Sequence, residues 1–439
     1  MVDKKKKKKT MTLDKFRYID ISKFRRCLYI DLNKYLVFGK RDIAIALFTI
    51  GIAINIFASI HVMYFWMIEA YCPFVTMPLF IMSVLLSRST RTPIFTRTDF
   101  LLPTLLSLIV QYYQCLVNAQ NIVPFIISTA SLCMFYCMFR IDKEIAEKSL
   151  TKICKVFAGF LIISILFFFL HFIGVNLPNV SVERGNYSYT NFFFFLLDDR
   201  ELWNILIPRF NSVFLEPGHM GTTIIMLLAT QIGKWKKWYN VVLFVALLMS
   251  FSLAAYCLGV MLLFLRLWML RRKIVLKVLG LVSFLGIIVG GSFVYNDGDN
   301  MLNNLIVMRL EVSDTGDDFK GNNRVSEDFE KEFESFLGSS DVLFGREMDY
   351  EGWGNSGYRV YIYDYGMAGF ALFFVFYFFA FRTGRDIRAI TTAFVLAMTN
   401  FWIRGYPMLF AFLYPYFIIS QMNNKLDTLK EQDNDATKE

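Results

Sequence analysis

Long apolar runs separated by short polar loops set the pattern of this chain of 439 residues. The runs lie at roughly 43–64, 70–87, 100–118, 122–140, 153–175, 218–234, 238–255, 256–271, 275–295, 358–381, 387–403 and 405–421. They are apolar on all sides rather than striped, and most approach the roughly 20 residues that cross a bilayer as a helix. The pattern therefore predicts an all-α polytopic membrane protein with about 12 spans. It divides into a basic tail (1–41), a membrane domain (42–421) and a short polar tail (422–439).

The loop charges give this bundle a direction. Arg88, Arg91 and Arg97 fall in one loop, and Arg140, Lys143, Lys148 and Lys152 in another. Lys234, Lys236 and Lys237, then Arg271 to Lys273, then Arg382, Arg385 and Arg388, and finally Lys425 and Lys430 follow at alternate ends of the runs. With the spans counted as above, all share one side with Lys4 to Lys9, which the positive-inside rule makes cytoplasmic. Both termini are expected there. The count depends on a turn at Ser250–Tyr256; a single span over 238–271 would put the later charges on the opposite side. Residues 1–41 contain no short apolar segment followed by a small-residue cleavage site, so no signal peptide is expected.

Composition agrees with the pattern. Apolar residues make up 56% and charged residues only 19%, with 47 phenylalanines, where a soluble domain carries about a quarter charged. The net charge of +9 follows from the loops and implies topology rather than nucleic-acid binding. The seven cysteines include no CxxC pair and read as small apolar packing residues. No His/Cys/Asp cluster has metal-ligand spacing, so neither a metal nor a cofactor is expected.

Two long external loops remain, 176–217 and 296–357. The first holds two glycosylation tripeptides, at Asn179 and Asn186, and a short apolar stretch from Phe192 to Leu197 suited to an interface. It ends in Arg209-Phe-Asn-Ser-Val-Phe-Leu-Glu-Pro-Gly-His-Met-Gly221. Pro217 suits a helix's first turn, because its missing N–H would be unpaired there anyway. That helix would aim its positive dipole end outward, beside Arg209 and His219, which suits phosphate oxygens. Glu216 and His219, three apart, share a face. The residues alone equally allow a plain capped helix with an interfacial arginine.

In the second loop, Arg309, Arg324 and Arg346 stand where the positive-inside rule disfavours them. An anionic ligand would account for them, and so would salt bridges to nearby acids. The acidic run Glu311 to Asp318 lacks calcium-loop spacing and reads as a solvated turn. Val325, Phe329, Phe333 and Phe336 form one stripe of a short covering helix. Arg359 and Asp364, at the start of the next span, are expected to pair or to line a path. Arg404 lies by the last short external loop.

In order along the chain stand Phe214-Leu-Glu-Pro-Gly-His-Met-Gly221, Leu248-Met-Ser-Phe-Ser-Leu-Ala-Ala-Tyr256, Gly321-Asn-Asn-Arg324, Val342-Leu-Phe-Gly345, Asn355-Ser and Tyr365-Gly-Met-Ala-Gly369. This series, over residues 40–420, resembles the Wzy-type O-antigen and capsule polymerases, relatives of the O-antigen ligases. The resemblance implies a GT-C-like fold and metal-independent transfer of glycan from a polyprenyl diphosphate, at the outer face of the bacterial inner membrane. Arg209 and Arg324 then bind the diphosphate, with Arg309 and Arg404 in support. Glu216 or His219 would be the base, and Asn355, Arg359 and Asp364 supporting residues. Ligase-like relatives often carry His before the Asn of the later motif. Here Gly354 precedes Asn355, which shifts weight to Glu216 and His219. Implied partners are the lipid-linked oligosaccharide as donor and acceptor, the bilayer, a chain-length regulator and a flippase. A ligase, or a transporter of lipid-linked saccharide, is the alternative. The charge-poor spans and polar external loops favour chemistry at one face over a path through the midplane.

Overall fold

The computed structural model describes residues 39–57, 71–87, scattered helical positions between 102 and 140, 141–184, 187–199, 208–270, 274–300, 303–308, 327–346, 357–384, 386–404 and 410–422. Its helices are α1 (Lys40–Phe57), α2 (Cys72–Ser87), α3 (Lys143–Phe172), α4 (Pro217–Thr230), α5 (Trp238–Met249), α6 (Leu253–Leu270), α7 (Ile274–Val294), α8 (Glu327–Leu337), α9 (Gly357–Arg382), α10 (Ile387–Arg404) and α11 (Phe410–Ser420). Among the described residues, the segments Lys143–Phe172, Lys277–Gly298 and Gly357–Arg382 are long and apolar enough to cross a membrane. Four further apolar helices, Cys72–Ser87, Trp238–Met249, Leu253–Met269 and Ile387–Ile403, are shorter. The expected spans at 100–118 and 122–140 lie on residues described only at scattered positions, and those at 43–64 and 405–421 are described in part.

α4 is the axis of the bundle. Each of its residues except His219 is buried, as a helix apolar on every side requires. α3, α5, α6 and α11 pack around it, and α10 joins α6 to α11. Close approach of α4 and α6 depends on Gly221, where a Cβ would overlap that of Ala255. Serine hydroxyls tie the remaining helices together: Ser83 donates to the Ala44 carbonyl at 2.8 Å and Ser149 to that of Ile45 at 3.3 Å.

Charged residues gather at one end. Arg41 of α1 pairs with Glu144 of α3, and Lys148 reaches the same carboxylate at 2.8 Å. Lys143 donates to the Gln421 carbonyl at 2.5 Å, after α11, and Arg388 of α10 to the Met269 carbonyl of α6 at 2.8 Å. The starts of α1, α3 and α10 and the ends of α6 and α11 therefore meet.

The fold departs from an all-helical one in the first long loop. β1 (Val180–Arg184), β2 (Tyr187–Asn191) and β3 (Leu196–Asp198) form an antiparallel sheet in that order, with Arg184 opposite Tyr187 and Asn191 opposite Leu196. Side chains alternate across a strand. Tyr189 and Leu196 point down onto Leu215, just before α4, while Ser188 and Thr190 donate to the Asp199 carboxylate at 2.5 and 2.8 Å. The apolar stretch after β2 folds back on α3: Phe195 lies 5.6 Å from Phe168, and Phe194 lies 4.6 Å from Phe167.

Candidate functional site

The first candidate site is built at the N-terminus of α4. Glu216 is the N-cap, in extended conformation, and its side chain makes no capping bond. Its carboxylate instead faces the imidazole of His219, with Oε2 3.6 Å from Nε2. His219 is one helical turn further on, so both side chains emerge on one side. The carboxylate is 49% exposed and the imidazole 14%. At 3.6 Å the two groups are close enough to interact as charges but beyond direct hydrogen-bond distance, the carboxylate reaching solvent and the imidazole lying deeper.

The chain enters this site through non-helical backbone that is buried from Phe210 to Leu215. Its polar groups are held by neighbouring elements, which buried backbone requires. Phe210 N–H donates to the Met249 carbonyl at the end of α5, and Leu196 N–H of β3 donates to the Ser212 carbonyl. Ser164 of α3 donates to the Ser212 hydroxyl at 3.0 Å. Arg209, half-buried, sits at the head of this segment.

These contacts fix depth. Thr151 of α3 bonds Gln231, beyond the far end of α4, at 3.3 Å, and Ser164 bonds Ser212 before its start. α3 continues eight residues past Ser164 to Phe172, about 12 Å at 1.5 Å per residue. The site is thus recessed below the end of α3, with the sheet beside it. α4, at 14 residues, measures about 21 Å, and α5 less, against about 30 Å of hydrocarbon.

The second polar region is a cap on α9. Phe329, Phe333 and Phe336 of α8 are buried against Tyr363 of α9, as the stripe requires; Val325 lies outside the described residues. Arg346 clamps this cap. It meets Glu332 at 2.6 Å and Asp341 at 2.9 Å, and its bonds to Asp341 first, then to Tyr363 and Glu332, raise its already high pKa. Tyr363 also donates to Glu332 at 3.0 Å. Arg359 pairs with Glu330 at 3.2 Å and lies over the Phe333 ring. For Arg346 and Arg359, salt bridging within the cap is the role the geometry gives.

The cap locks into a break in α9. Gly366 has φ 63° and ψ −176°, a region that only glycine adopts readily. Arg346 N–H donates to the Tyr363 carbonyl at 2.7 Å. The Tyr113 hydroxyl reaches the carbonyls of Tyr365 at 2.6 Å and Phe344 at 3.2 Å. Asp364, half-buried, belongs to this break.

Of the sequence-predicted residues, Glu216 and His219 meet at one point and Arg209 enters the same segment. Arg359 and Asp364 belong to the cap. Arg309, Arg324 and Asn355 lie outside the described residues, and Arg404 is the last residue of α10. Among the described residues, no group of three or more His, Cys, Asp or Glu could hold a metal ion. Sequence reading missed the strands, the Asp199 bonds and Tyr113. For the strands a signal existed: Val180-Ser-Val and Tyr187-Ser-Tyr alternate, with Gly185-Asn186 between them as a hairpin dipeptide.

The fold defines a helical protein with helices long and apolar enough to cross a membrane. No protein-family model, curated protein or solved structure matches the chain.

Proposed function

We propose that this protein is a membrane glycosyltransferase that joins polyprenyl-diphosphate-linked oligosaccharide repeat units into O-antigen, capsule or exopolysaccharide. It works from the outer side of a bacterial inner membrane, with both termini cytoplasmic and about 12 spans. The observation that carries the reading is the Glu216–His219 pair, recessed at the N-terminus of a buried helix and entered from Arg209. A diphosphate anchored in the bilayer has to be met below the membrane surface, and a recessed helix N-terminus with an arginine offers it a positive environment.

The reaction assigns each residue a task. An acceptor hydroxyl attacks the anomeric carbon of the lipid-linked glycan. Its proton passes to Glu216, the more exposed of the pair, and His219 holds that carboxylate in place. The bond from the anomeric carbon to the diphosphate oxygen breaks, and the diphosphate leaves with the electron pair. Arg209 and Arg324, supported by Arg309 and Arg404, stabilise the charge that develops on it. Arg346 is bound to the cap carboxylates Glu332 and Asp341; Arg359, paired with Glu330, supports the site with Asn355 and Asp364.

The test is the surface glycan of a gene-deletion strain, run on a gel beside strains complemented with Arg209→Ala or Arg324→Ala. A single repeat unit in place of long chains is expected in all three, with the variants still inserted in the membrane. Abundant variant protein with normal long polymer sinks the assignment. Full-length polymer left on the lipid carrier means a ligase, and loss of every external saccharide means a flippase.

A further inference from the structure

At the charged end of the bundle, several cations come with carboxylates: Arg41 and Lys148 with Glu144, Lys143 with Glu147, Arg388 with Asp386. One quadrant differs. Lys152 and Lys155 of α3 and Lys236 and Lys237 of the α4–α5 turn are exposed, and none has a carboxylate partner among the described residues.

These lysines are held on a rigid frame. Lys234 N–H donates to the Gln231 carbonyl and Lys237 N–H to that of Lys234. Asn240, fully buried, donates to the Lys234 carbonyl at 2.8 Å, and the Trp235 indole donates to the Leu228 carbonyl at 3.0 Å. Thr151 bonds Gln231 at 3.3 Å, and Lys155 lies over the Tyr239 ring. α3 and the turn thus present their lysines together. Trp238, 53% exposed, stands edge-on to Tyr239 at the same level.

We propose that this quadrant binds the headgroup of an anionic phospholipid in the leaflet it faces. Four ammonium groups with no carboxylate partner among the described residues complement a phosphodiester. Exposed tryptophan beside lysine at the ends of apolar helices matches the membrane–water interface, where polybasic segments attract anionic lipid. The binding is independent of the glycan chemistry proposed for the opposite end.

The test uses the full-length protein in neutral detergent, with fluorescent phosphatidylglycerol and phosphatidylcholine as probes read by anisotropy. Phosphatidylglycerol is expected to bind about tenfold or more tighter, with a preference that falls as salt is added. Replacing Lys152, Lys155, Lys236 and Lys237 by Gln abolishes most of that preference, and Lys236→Gln with Lys237→Gln alone reduces it several-fold. Lys331→Gln, on α8, leaves it unchanged. Excess inorganic phosphate does not displace the lipid. Equal binding of the two lipids by the unmodified protein overturns the proposal, as does a preference that survives in the four-lysine variant. Displacement by inorganic phosphate overturns it too, because the site would then belong to a soluble anion.

Discussion

Glu216 and His219 are three residues apart and chemically unequal. Exposure separates them, since the carboxylate faces solvent and the imidazole lies largely within the helix packing. Glu216→Gln removes the proton acceptor while keeping size and position. It is expected to lower polymer formation by about 10²–10⁴-fold, the usual worth of a general base. His219→Gln is expected to lose less, because the carboxylate survives and only its orientation suffers. Equal losses in purified variants assayed with lipid-linked repeat unit would assign the proton to both residues acting as a unit. Gly221 sets the same site from below. Gly221→Val forces α4 off Ala255. It is expected to cost about 1–3 kcal/mol through overpacking, read as a lowered Tm, and to displace the α4 N-terminus.

Among the elements, the cap shows what binds Arg346 and Arg359. α8 carries too few apolar residues to be stable alone; Phe329, Phe333 and Phe336 bury against Tyr363, and Arg346 gathers Glu332 and Asp341 beside them. Phe336→Ala is expected to destabilise the cap by about 3–5 kcal/mol. Hydrogen exchange over 327–346 should rise while that of α4 stays as it was. Arg346→Ala should act on the same segment, and a variant with intact cap protection would remove the clamp from the account. The stripe made α8 legible in sequence, and Pro217 marked the start of α4. The strands were short and polar enough for their alternation to pass as loop. Of the partners of Arg346 only Asp341, five residues before it, is near in sequence; Glu332 and Tyr363 flank it at 14 and 17 residues, and Tyr113, which completes the joint, comes from more than 200 residues earlier.

For the whole molecule, the short central helices matter most. α4 and α5 measure about 21 Å and about 18 Å, shorter than the roughly 30 Å of hydrocarbon that α3, at 30 residues, is long enough to cross. Non-helical backbone at membrane depth is tolerated where protein covers it or where it lines a cavity, and Phe210 to Leu215 are covered by α3, α5 and β3. The charged end and the cap should face opposite sides of the membrane. Single cysteines placed at Lys236 and Lys331 are expected to react with an impermeant maleimide from opposite sides of sealed vesicles. Reaction of both from one side would refute that topology.

By itself the sequence determined the apolar helices long enough to cross a membrane, the polar loops and a break after Met249, which the structure confines to Ser250–Ser252, with Leu253–Tyr256 already in α6. Long apolar runs, loop charge and helix start signals are local, and each is visible within one element. The tertiary structure decided how deep the site lies, which arginines are bound by carboxylates, and which lysines are left facing outward together. Those depend on contacts between residues far apart in the chain: Phe210 with Met249, Ser164 with Ser212, Arg346 with Glu332, Thr151 with Gln231. Such contacts leave no periodic trace in the sequence, because each is satisfied by packing between elements rather than by the spacing of residues within one.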